Sequence, residues 1–152
     1  MSMSAPPQEL ASLGLPPIDQ VGFVVHDLDA AIARYGPLFG PFHRIDGSVQ
    51  GCDFRGRTAD VELDIAFGRS GTLEIEFIQW RGGDSPHAEF TRQGREGMHH
   101  LRFRVEDVDA WIAKAGAIGY RPIWYKRFSP EITFAYLERT GDPLLIEFLQ
   151  MP

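Results

Sequence analysis

An internal repeat constrains the fold of this chain more than any other feature of its sequence. Residues 20–40 (QVGFVVHDLDAAIARYGPLFG) align without gaps on residues 100–120 (HLRFRVEDVDAWIAKAGAIGY), and IEFIQ at 75–79 returns as IEFLQ at 146–150. The eight identities among the 21 aligned pairs are Phe23/Phe103, Val25/Val105, Asp27/Asp107, Asp29/Asp109, Ala30/Ala110, Ile32/Ile112, Ala33/Ala113 and Gly36/Gly116. The period is too long for a solenoid, so it predicts two similar modules that pack side by side.

Each half of the repeat has the hydrophobic pattern of a βαβββ unit, which predicts an α+β fold. The opening strand, at about 18–25 and again at 100–105, alternates strictly along the chain. Asp27 and Asp107 follow these strands and are predicted helix N-caps, because their carboxylates can accept hydrogen bonds from the first helical turn. The predicted helices are 28–38 and 108–117, and the predicted later strands are 43–49, 59–67, 72–79, 121–126, 131–138 and 144–149.

The length and composition predict a single domain. A chain of 152 residues with 43% hydrophobic content can form one sizeable core. Residues 1–16 are rich in Pro, Ser and Ala and lack the basic and apolar segments of a signal peptide, so they are predicted to form a loose arm. The domain is predicted over 17–152, with module 1 at about 17–80, a linker at 81–97 and module 2 at about 98–150.

Charge, hydropathy and cysteine content argue against several classes of function. The net charge of -6 and the pI near 5.3 argue against a nucleic-acid partner, because phosphate binding requires a basic surface. No apolar run approaches the roughly 20 residues of a membrane span. Cys52 is the single cysteine, which excludes an internal disulfide and predicts a reducing, cytoplasmic location. A lone thiol is more often inert than nucleophilic, so Cys52 is interpreted as structural.

Four polar residues are predicted on the strand faces that point away from the helices. In the first strand Val21, Phe23 and Val25 share the helix-facing side, so Gln20 falls on the opposite side. The same alternation places Glu76, His100 and Glu147 on the corresponding sides of their strands. Among Val, Leu and Ile these residues predict the lining of a cup, where an isolated carboxylate is costly and a metal ion removes that cost.

These four residues make a ligand set for one divalent metal ion. Gln20 and His100 are one repeat-equivalent pair, and Glu76 and Glu147 are another, which favours a shared role over four unrelated strand residues. One imidazole, two carboxylates and one amide oxygen suit Zn²⁺, Co²⁺, Ni²⁺, Mn²⁺ or Mg²⁺. Four protein ligands on an octahedral ion leave two positions for water or substrate.

The strand at 59–67 offers further carboxylates. Its alternation places Glu62 and Asp64 on the face opposite Leu63 and Ile65, so both carboxylates are predicted in the cup. Asp64 is predicted to contact the substrate. An ordinary solvated strand face is the alternative interpretation of both residues.

Two arginines and two aromatic residues complete the predicted substrate site. Arg102 and Arg104 share the side of His100 and can hold a carboxylate or phosphate, although pairing with Glu74 is the alternative. Phe134 and Tyr136 fall on the cup side of their strand and predict a hydrophobic or aromatic substrate. Aromatic residues are more often core residues, which is the alternative here.

The remaining four histidines are interpreted as structural. By alternation His99 points towards the helix and is predicted to pack or to form a hydrogen bond. His26, His43 and His87 fall in predicted turns or at strand edges.

The sequence resembles the vicinal oxygen chelate superfamily, which includes glyoxalases, methylmalonyl-CoA epimerases, bleomycin-resistance proteins and extradiol dioxygenases. The motifs IDQVGFVVHDLDAAIARYGPLFG, GMHHLRFRVEDVDAWIAKAGAIGY and LLIEFLQ carry the resemblance over about 18–150, and SPHAEFTRQGREGMHH looks most like the epimerases. The resemblance implies two paired βαβββ modules in a cup-shaped eight-stranded mixed sheet around one divalent metal. It carries the four metal positions to Gln20, Glu76, His100 and Glu147, a set like that of a zinc-type glyoxalase I. Epimerases typically have Gln where this chain has Glu76.

The resemblance also implies metal-assisted proton transfer next to a carbonyl, as in an isomerase, epimerase or lyase acting on a small molecule. Glu147 is the expected base, if it leaves the metal when substrate binds, and Glu76 can share that task. Glu62 aligns roughly with the extra catalytic Glu of the epimerases. A metal-free binding or resistance protein is the alternative, and extradiol cleavage is less favoured because it uses two His and one carboxylate. A homodimer is expected, and pairing of the modules within one chain or between two chains is left open.

Overall fold

The computed structural model describes residues 9–152, so residues 1–8 of the predicted N-terminal arm lie outside the described residues. The strands are β1 Gln20–Val24, β2 His43–Asp46, β3 Val49–Phe54, β4 Arg57–Ser70, β5 Leu73–Gly83, β6 Gly97–Arg104, β7 Tyr120–Arg127, β8 Thr133–Arg139 and β9 Asp142–Gln150. The helices are α1 Leu28–Phe39, α2 Pro86–Arg92 and α3 Val108–Gly116, preceded by a short 3₁₀ helix, Ala11–Leu13. None of the helices within residues 9–152 is long and apolar enough to cross a membrane.

All of these strands belong to one mixed sheet that closes on itself. The closed ring runs β1-β5-β4-β3-β7-β8-β9-β6 and returns to β1. The β1–β5 and β6–β9 pairs are parallel, and the other pairs are antiparallel. β2 and β3 pair with the same edge of β4; β2 lies within the predicted strand 43–49, whereas the sequence did not predict β3 beyond Val49. The predicted α+β fold with two βαβββ modules and an eight-stranded mixed sheet is confirmed.

The helices begin where the sequence predicts. The side chain of Asp27 accepts a hydrogen bond from the backbone N–H of Ala30 at 3.0 Å, and Asp107 does the same for Ala110 at 3.1 Å. Such caps satisfy backbone donors that have no partner inside the helix. The linker forms the short helix α2, because Ser85 caps it and Pro86 occupies its first turn.

Buried apolar residues form three clusters whose positions follow from the closed sheet. One cluster fills the inside of the barrel, a second lies between α1 and the sheet, and a third lies between α3 and the sheet. Leu10 is buried in the third cluster with Trp111 and Phe148, and Leu15 packs against it. The arm therefore contacts module 2 from residue 10 onwards.

Candidate metal centre

Four polar side chains converge inside the barrel from four adjacent strands. Gln20, Glu76, His100 and Glu147 belong to β1, β5, β6 and β9, and all four are buried. Nε2 of His100 lies 3.2 Å from Oε1 of Gln20 and 3.2 Å from Oε1 of Glu76. The same nitrogen lies 3.4 Å from Oε1 of Glu147. The sheet thus brings the four sequence-predicted metal positions to one point.

The arrangement of these donor atoms fits a single divalent cation. Ligands at about 2.0–2.2 Å from one ion lie roughly 2.8–3.6 Å apart in octahedral or tetrahedral geometry, the range found around His100. Oε1 of Glu76 is buried and has no hydrogen-bond donor within residues 9–152. A buried carboxylate oxygen without a donor is costly, and a cation is the partner that would remove this cost.

A glycine makes room for the imidazole. Gly22 on β1 lies directly opposite His100 in the antiparallel pair with β6. A Cβ atom at Gly22 would overlap the ring of His100. The residue of module 2 that is repeat-equivalent to Gly22 is Arg102, so the two modules have diverged at this position, where Gly22 leaves room for the imidazole of His100.

Gln20 is held with its amide oxygen towards the site. Nε2 of Gln20 donates a hydrogen bond to Oε1 of Glu74 at 2.7 Å, which leaves Oε1 of Gln20 facing His100. Arg102 supports this arrangement, because its Nη2 lies 3.5 Å from Oε1 of Glu74 and its guanidinium binds both carboxylate oxygens of Asp19.

Burial shifts the protonation equilibria of the site towards neutral forms. It raises the pKa values of Glu76 and Glu147 to about 8, an effect that the charge of Arg102 opposes. It lowers the pKa of His100 to about 3, so the imidazole is neutral and its ring nitrogens can act as donor or ligand.

His99 packs against a helix as the sequence predicts, but the helix is α2 of the linker and not α3 of its own module. The β1–β6 pairing shifts here: Gly22 pairs with His100 and Phe23 with Met98, so His99 has no partner in the ladder. This bulge reorients His99 onto α2, where its ring lies 5.0 Å from that of Phe90. Its Nδ1 lies 3.0 Å from Nδ1 of His100.

His87 is a buried part of the same cluster, which the sequence interpretation missed. The ring of His87 stacks on His99 with centroids 4.9 Å apart, and its Nε2 lies 3.3 Å from the hydroxyl oxygen of Tyr136. One ring nitrogen from each of His87, His99 and His100 lies within 4.8 Å of the other two, so these imidazoles form a second group that could hold a cation. Burial lowers the pKa values of His87 and His99 well below the usual range. The only sequence signal was the capping pair Ser85-Pro86, which places His87 in the first turn of α2.

A cavity of about 300 Å³ is lined by three of the four converging residues, Gln20, Glu76 and Glu147. Its apolar wall is formed by Ile45, Val49, Leu63, Ile65, Ile78 and Leu149, and its aromatic wall by Trp124, Phe128, Phe134 and Tyr136. Arg102 is the one cation in the described lining of this cavity. The structure therefore places Arg102, Phe134 and Tyr136 where the sequence predicts substrate contacts.

Glu62 and Asp64 lie outside the cavity, which corrects their predicted position. Both are on the outer face of β4, where Asp64 binds Arg81 at 2.6 Å, whereas Leu63 and Ile65 line the cavity. Helix α1 covers the outer face of β4 near Ala66 and Gly68, so the part of that face around Glu62 and Asp64 is left to polar residues. The sequence interpretation assumed that the apolar face always meets the helix.

Arg104 also lies away from the predicted site. Its side chain is exposed near the end of the chain, and its Nη2 donates a hydrogen bond to the carbonyl oxygen of Pro152 at 2.8 Å. Arg104 ends β6, two residues beyond Arg102, and therefore projects past the cavity.

Comparison with known proteins defines the class to which this fold and site belong. Residues 19–136 match the family model of the Glyoxalase/Bleomycin resistance protein/Dioxygenase superfamily, and the chain belongs to that superfamily. The predicted resemblance is thereby confirmed. A comparison with curated proteins found no match.

Solved structures give a finer comparison. A hypothetical protein of Bacillus halodurans C-125 is 22% identical, with a TM-score of 0.63 over 90% of this chain and 94% of its own. Methylmalonyl-CoA epimerase of Mycobacterium tuberculosis is 22% identical, with a TM-score of 0.60 over 91% and 89%. A Streptomyces coelicolor methylmalonyl-CoA epimerase variant, solved with 2-nitronate-propionyl-CoA, is 26% identical, with a TM-score of 0.59 over 91% and 96%. The homodimer and the cytoplasmic location stay predictions.

Proposed function

We propose that this protein is a divalent-metal-dependent isomerase, epimerase or lyase that moves a proton at a carbon next to a carbonyl. The observation that supports this proposal most strongly is the convergence of Gln20, Glu76, His100 and Glu147, with donor atoms 3.2–3.4 Å from Nε2 of His100. These four residues would hold the ion, and the ion would supply Lewis-acid stabilisation of negative charge on a substrate oxygen.

The two carboxylates are the groups that can move the proton. Glu76 and Glu147 approach His100 from β5 and β9, strands that lie on either side of the central β1–β6 pair. Glu147 is the proposed base, and Glu76 can return a proton from its own strand. This separation suits a reaction in which a proton leaves one side of a carbon and returns to the other.

The cavity favours a small hydrophobic or aromatic substrate. Apolar and aromatic side chains form most of its lining, and the guanidinium of Arg102 is already bound by Asp19. A substrate carboxylate would therefore have to compete with Asp19 for Arg102. The thioester of methylmalonyl-CoA, a substrate of structural neighbours, remains a useful probe because only its acyl part needs to enter the cavity.

Oxygen-activating chemistry fits the site less well. Non-haem iron sites of that kind use two His and one carboxylate, whereas the four converging residues contain one His and two carboxylates. Gln20 occupies the position that is repeat-equivalent to His100.

Two measurements test the proposal. Elemental analysis of the purified protein, before and after incubation with Zn²⁺, Co²⁺, Ni²⁺, Mn²⁺ or Mg²⁺, should show about one bound ion per chain in at least one case. The loaded protein should then incorporate solvent deuterium into methylmalonyl-CoA or into the hemithioacetal of phenylglyoxal and glutathione, followed by mass spectrometry. A protein that binds no divalent ion under any of these conditions would refute the proposal.

A pair of variants separates an enzyme from a metal-free binding protein. Glu147→Gln should abolish deuterium incorporation, while Glu131→Gln, which changes an exposed carboxylate, should leave it unchanged. Equal incorporation by Glu147→Gln and the unmodified chain would exclude Glu147 as the base. Binding of the probes with no exchange by any metal-loaded form would favour the binding protein.

A further inference from the structure

A chain of hydrogen bonds leads from the start of α2 to the candidate metal centre. Oγ of Ser85 lies 3.1 Å from Nδ1 of His87, and Nε2 of His87 lies 3.3 Å from the hydroxyl oxygen of Tyr136. The three side chains are buried, with exposed fractions of 0%, 1% and 4%. Tyr136 lies directly opposite Glu147 in the antiparallel β8–β9 pair, and Nε2 of His100 lies 3.4 Å from the hydroxyl oxygen of Tyr136.

The direction of the first hydrogen bond follows from the acceptor capacity of Ser85. Its Oγ accepts hydrogen bonds from the backbone N–H groups of His87 at 3.1 Å and Ala88 at 3.3 Å. A hydroxyl oxygen has two lone pairs and one proton, and both lone pairs are engaged here. The proton of Ser85 therefore goes to Nδ1 of His87.

This first hydrogen bond determines the tautomer of His87. Because Nδ1 accepts, a neutral imidazole must carry its proton on Nε2, and Nε2 then donates to the hydroxyl oxygen of Tyr136. Burial holds the imidazole in the neutral form, since it lowers the pKa of His87. The hydroxyl of Tyr136 thus receives one hydrogen bond and keeps its own proton to donate.

The proton of Tyr136 has two acceptors within reach. Nε2 of His100 is one of them, but it is also the ligand atom of the candidate metal centre. When that nitrogen is engaged by a cation, the carboxylate of Glu147, which lies opposite Tyr136 on the neighbouring strand, is the remaining acceptor. Tyr136 also lines the substrate cavity, so its hydroxyl joins the cavity to the carboxylate.

We infer that Ser85 and His87 are positioning residues that hold the hydroxyl of Tyr136 as a one-way hydrogen-bond donor to Glu147. One oxygen of Glu147 is thereby fixed, and the other is presented to the ion or the substrate. The role of Glu147 in this inference rests on the proposed function. The hydrogen-bond chain from Ser85 through His87 to Tyr136 rests on the distances between these side chains.

The tautomer of His87 tests the chain without reference to metal or activity. Two-bond ¹H–¹⁵N correlation spectra of the metal-free protein should show His87 protonated on Nε2 and unprotonated on Nδ1. Ser85→Thr, which keeps the hydroxyl, should give the same pattern. A proton on Nδ1 of His87 in the unmodified protein would overturn the inference.

Two amide substitutions test whether the donor at Nε2 positions Glu147. The amide nitrogen of Gln reaches the place of Nε2, whereas that of Asn reaches only the place of Nδ1. His87→Gln should therefore keep the affinity for Co²⁺ within about threefold, while His87→Asn and Tyr136→Phe should lower it by about tenfold or more, as substitutions behind metal ligands do. The affinity is measured by visible absorption on titration with Co²⁺.

The outcomes of this experiment separate the inference from the proposed function. Equal losses in His87→Gln and His87→Asn, with both variants folded by circular dichroism, would overturn the positioning role. If the unmodified protein binds no Co²⁺ and no other divalent ion, the proposed function fails and the role assigned to Glu147 fails with it. The NMR result then still decides whether the hydrogen-bond chain exists.

Discussion

The amide of Gln20 shows how a neutral side chain is given a defined orientation in this site. An amide can turn its oxygen or its nitrogen towards a neighbour, and the two choices have opposite effects on a cation. Here Glu74 accepts the hydrogen bond of the amide nitrogen, and Arg102 in turn lies near Glu74. The amide oxygen of Gln20 therefore faces the candidate metal centre. Glu74 is thus as important to this geometry as the converging residues themselves.

Gly22 provides a direct test of the packing around His100. We expect Gly22→Ala to destabilise the protein by about 1–3 kcal/mol, because its methyl group would overlap the imidazole in a closely packed interior. It should also lower divalent-metal affinity. Gly116→Ala is the matched control, since a Cβ there meets nothing and Ala favours the helix by roughly 0.5–1 kcal/mol. Urea unfolding measures both changes, and similar stabilities of the two variants would contradict the expected overlap.

Cys52 should be chemically inert in the folded protein. Its side chain is fully buried, and this burial raises the pKa of the thiol to about 11. The reactive thiolate is therefore scarce at pH 8, and iodoacetamide should label Cys52 only after unfolding. Mass spectrometry of native and urea-treated samples gives the measurement. Complete labelling of the native protein within minutes would show that the thiol is accessible.

At the scale of single elements, β4 shows that the apolar face of a strand can point into the barrel and not towards a helix. The strand is 14 residues long, and its outer face extends beyond the cover of α1. Leu63 and Ile65 consequently point into a cavity that is itself mostly apolar, and Glu62 and Asp64 point to solvent. Alternation separates the two faces of a strand, but does not tell which face is covered.

Adjacent substitutions on β4 test this assignment. Leu63→Ala should reduce the free energy of unfolding by about 2–5 kcal/mol, because it leaves a cavity beside buried neighbours. Glu62→Gln should change stability by less than about 0.5 kcal/mol, as expected of an exposed residue, and should leave metal affinity unchanged. Chemical denaturation and Co²⁺ titration give the two readouts. A strong loss of metal affinity in Glu62→Gln would restore the sequence-based placement of this carboxylate in the cup.

The sequence predicted most of the fold and the converging polar residues for a physical reason. Duplication repeats the hydrophobic pattern of each strand together with the polar residues that interrupt it. A polar residue in one half is therefore matched by one in the other half, as in the pairs Gln20/His100 and Glu76/Glu147. The caps Asp27 and Asp107 are equally local signals. These features depend on residues near one another in the chain or related by the repeat.

The features that the sequence did not predict depend on contacts between distant segments. The bulge at His99 is a change of register between β1 and β6, and no residue type in the sequence predicts its position. His87 becomes part of the site because α2 packs at the end of the barrel, where its ring meets His99 and Tyr136. Closure of the sheet also depends on the meeting of two strands far apart in the chain, β3 and β7.

For the molecule as a whole, the narrowest part of the sheet is the β3–β7 seam, one of the two places where a strand of module 1 pairs with a strand of module 2. β3 and β7 pair through two residue pairs only, Asp53 with Tyr125 and Phe54 with Trp124. The next residue, Arg55, binds Glu89 of α2 at 3.0 Å and Glu138 of β8 at 2.9 Å. The seam is therefore supported by ion pairs beyond the short ladder.

Removal of Arg55 should open this seam locally. Arg55 has a positive φ of 51°, which Asn also tolerates, so Arg55→Asn removes the ion pairs with little backbone strain. Amide hydrogen exchange of Phe54 and its neighbours should become faster, while global stability falls by no more than about 1 kcal/mol. Arg121→Asn is the control, because Arg121 binds the same Glu138 from within module 2. Unchanged exchange at Phe54 in Arg55→Asn would show that the two-pair ladder holds the seam by itself.

Each module provides two of the four converging residues, so metal binding would affect the stability of the whole fold. A cation held by β1 and β5 on one side and by β6 and β9 on the other would act as a crosslink between the duplicated halves, and its concentration would enter the folding equilibrium by mass action. At a free metal concentration of 100 times Kd, the free energy of unfolding should rise by about 2.7 kcal/mol, with further gain for each tenfold increase. Calorimetric scans at increasing metal concentration would show a rising Tm, and a constant Tm would show that the halves are joined by the sheet alone.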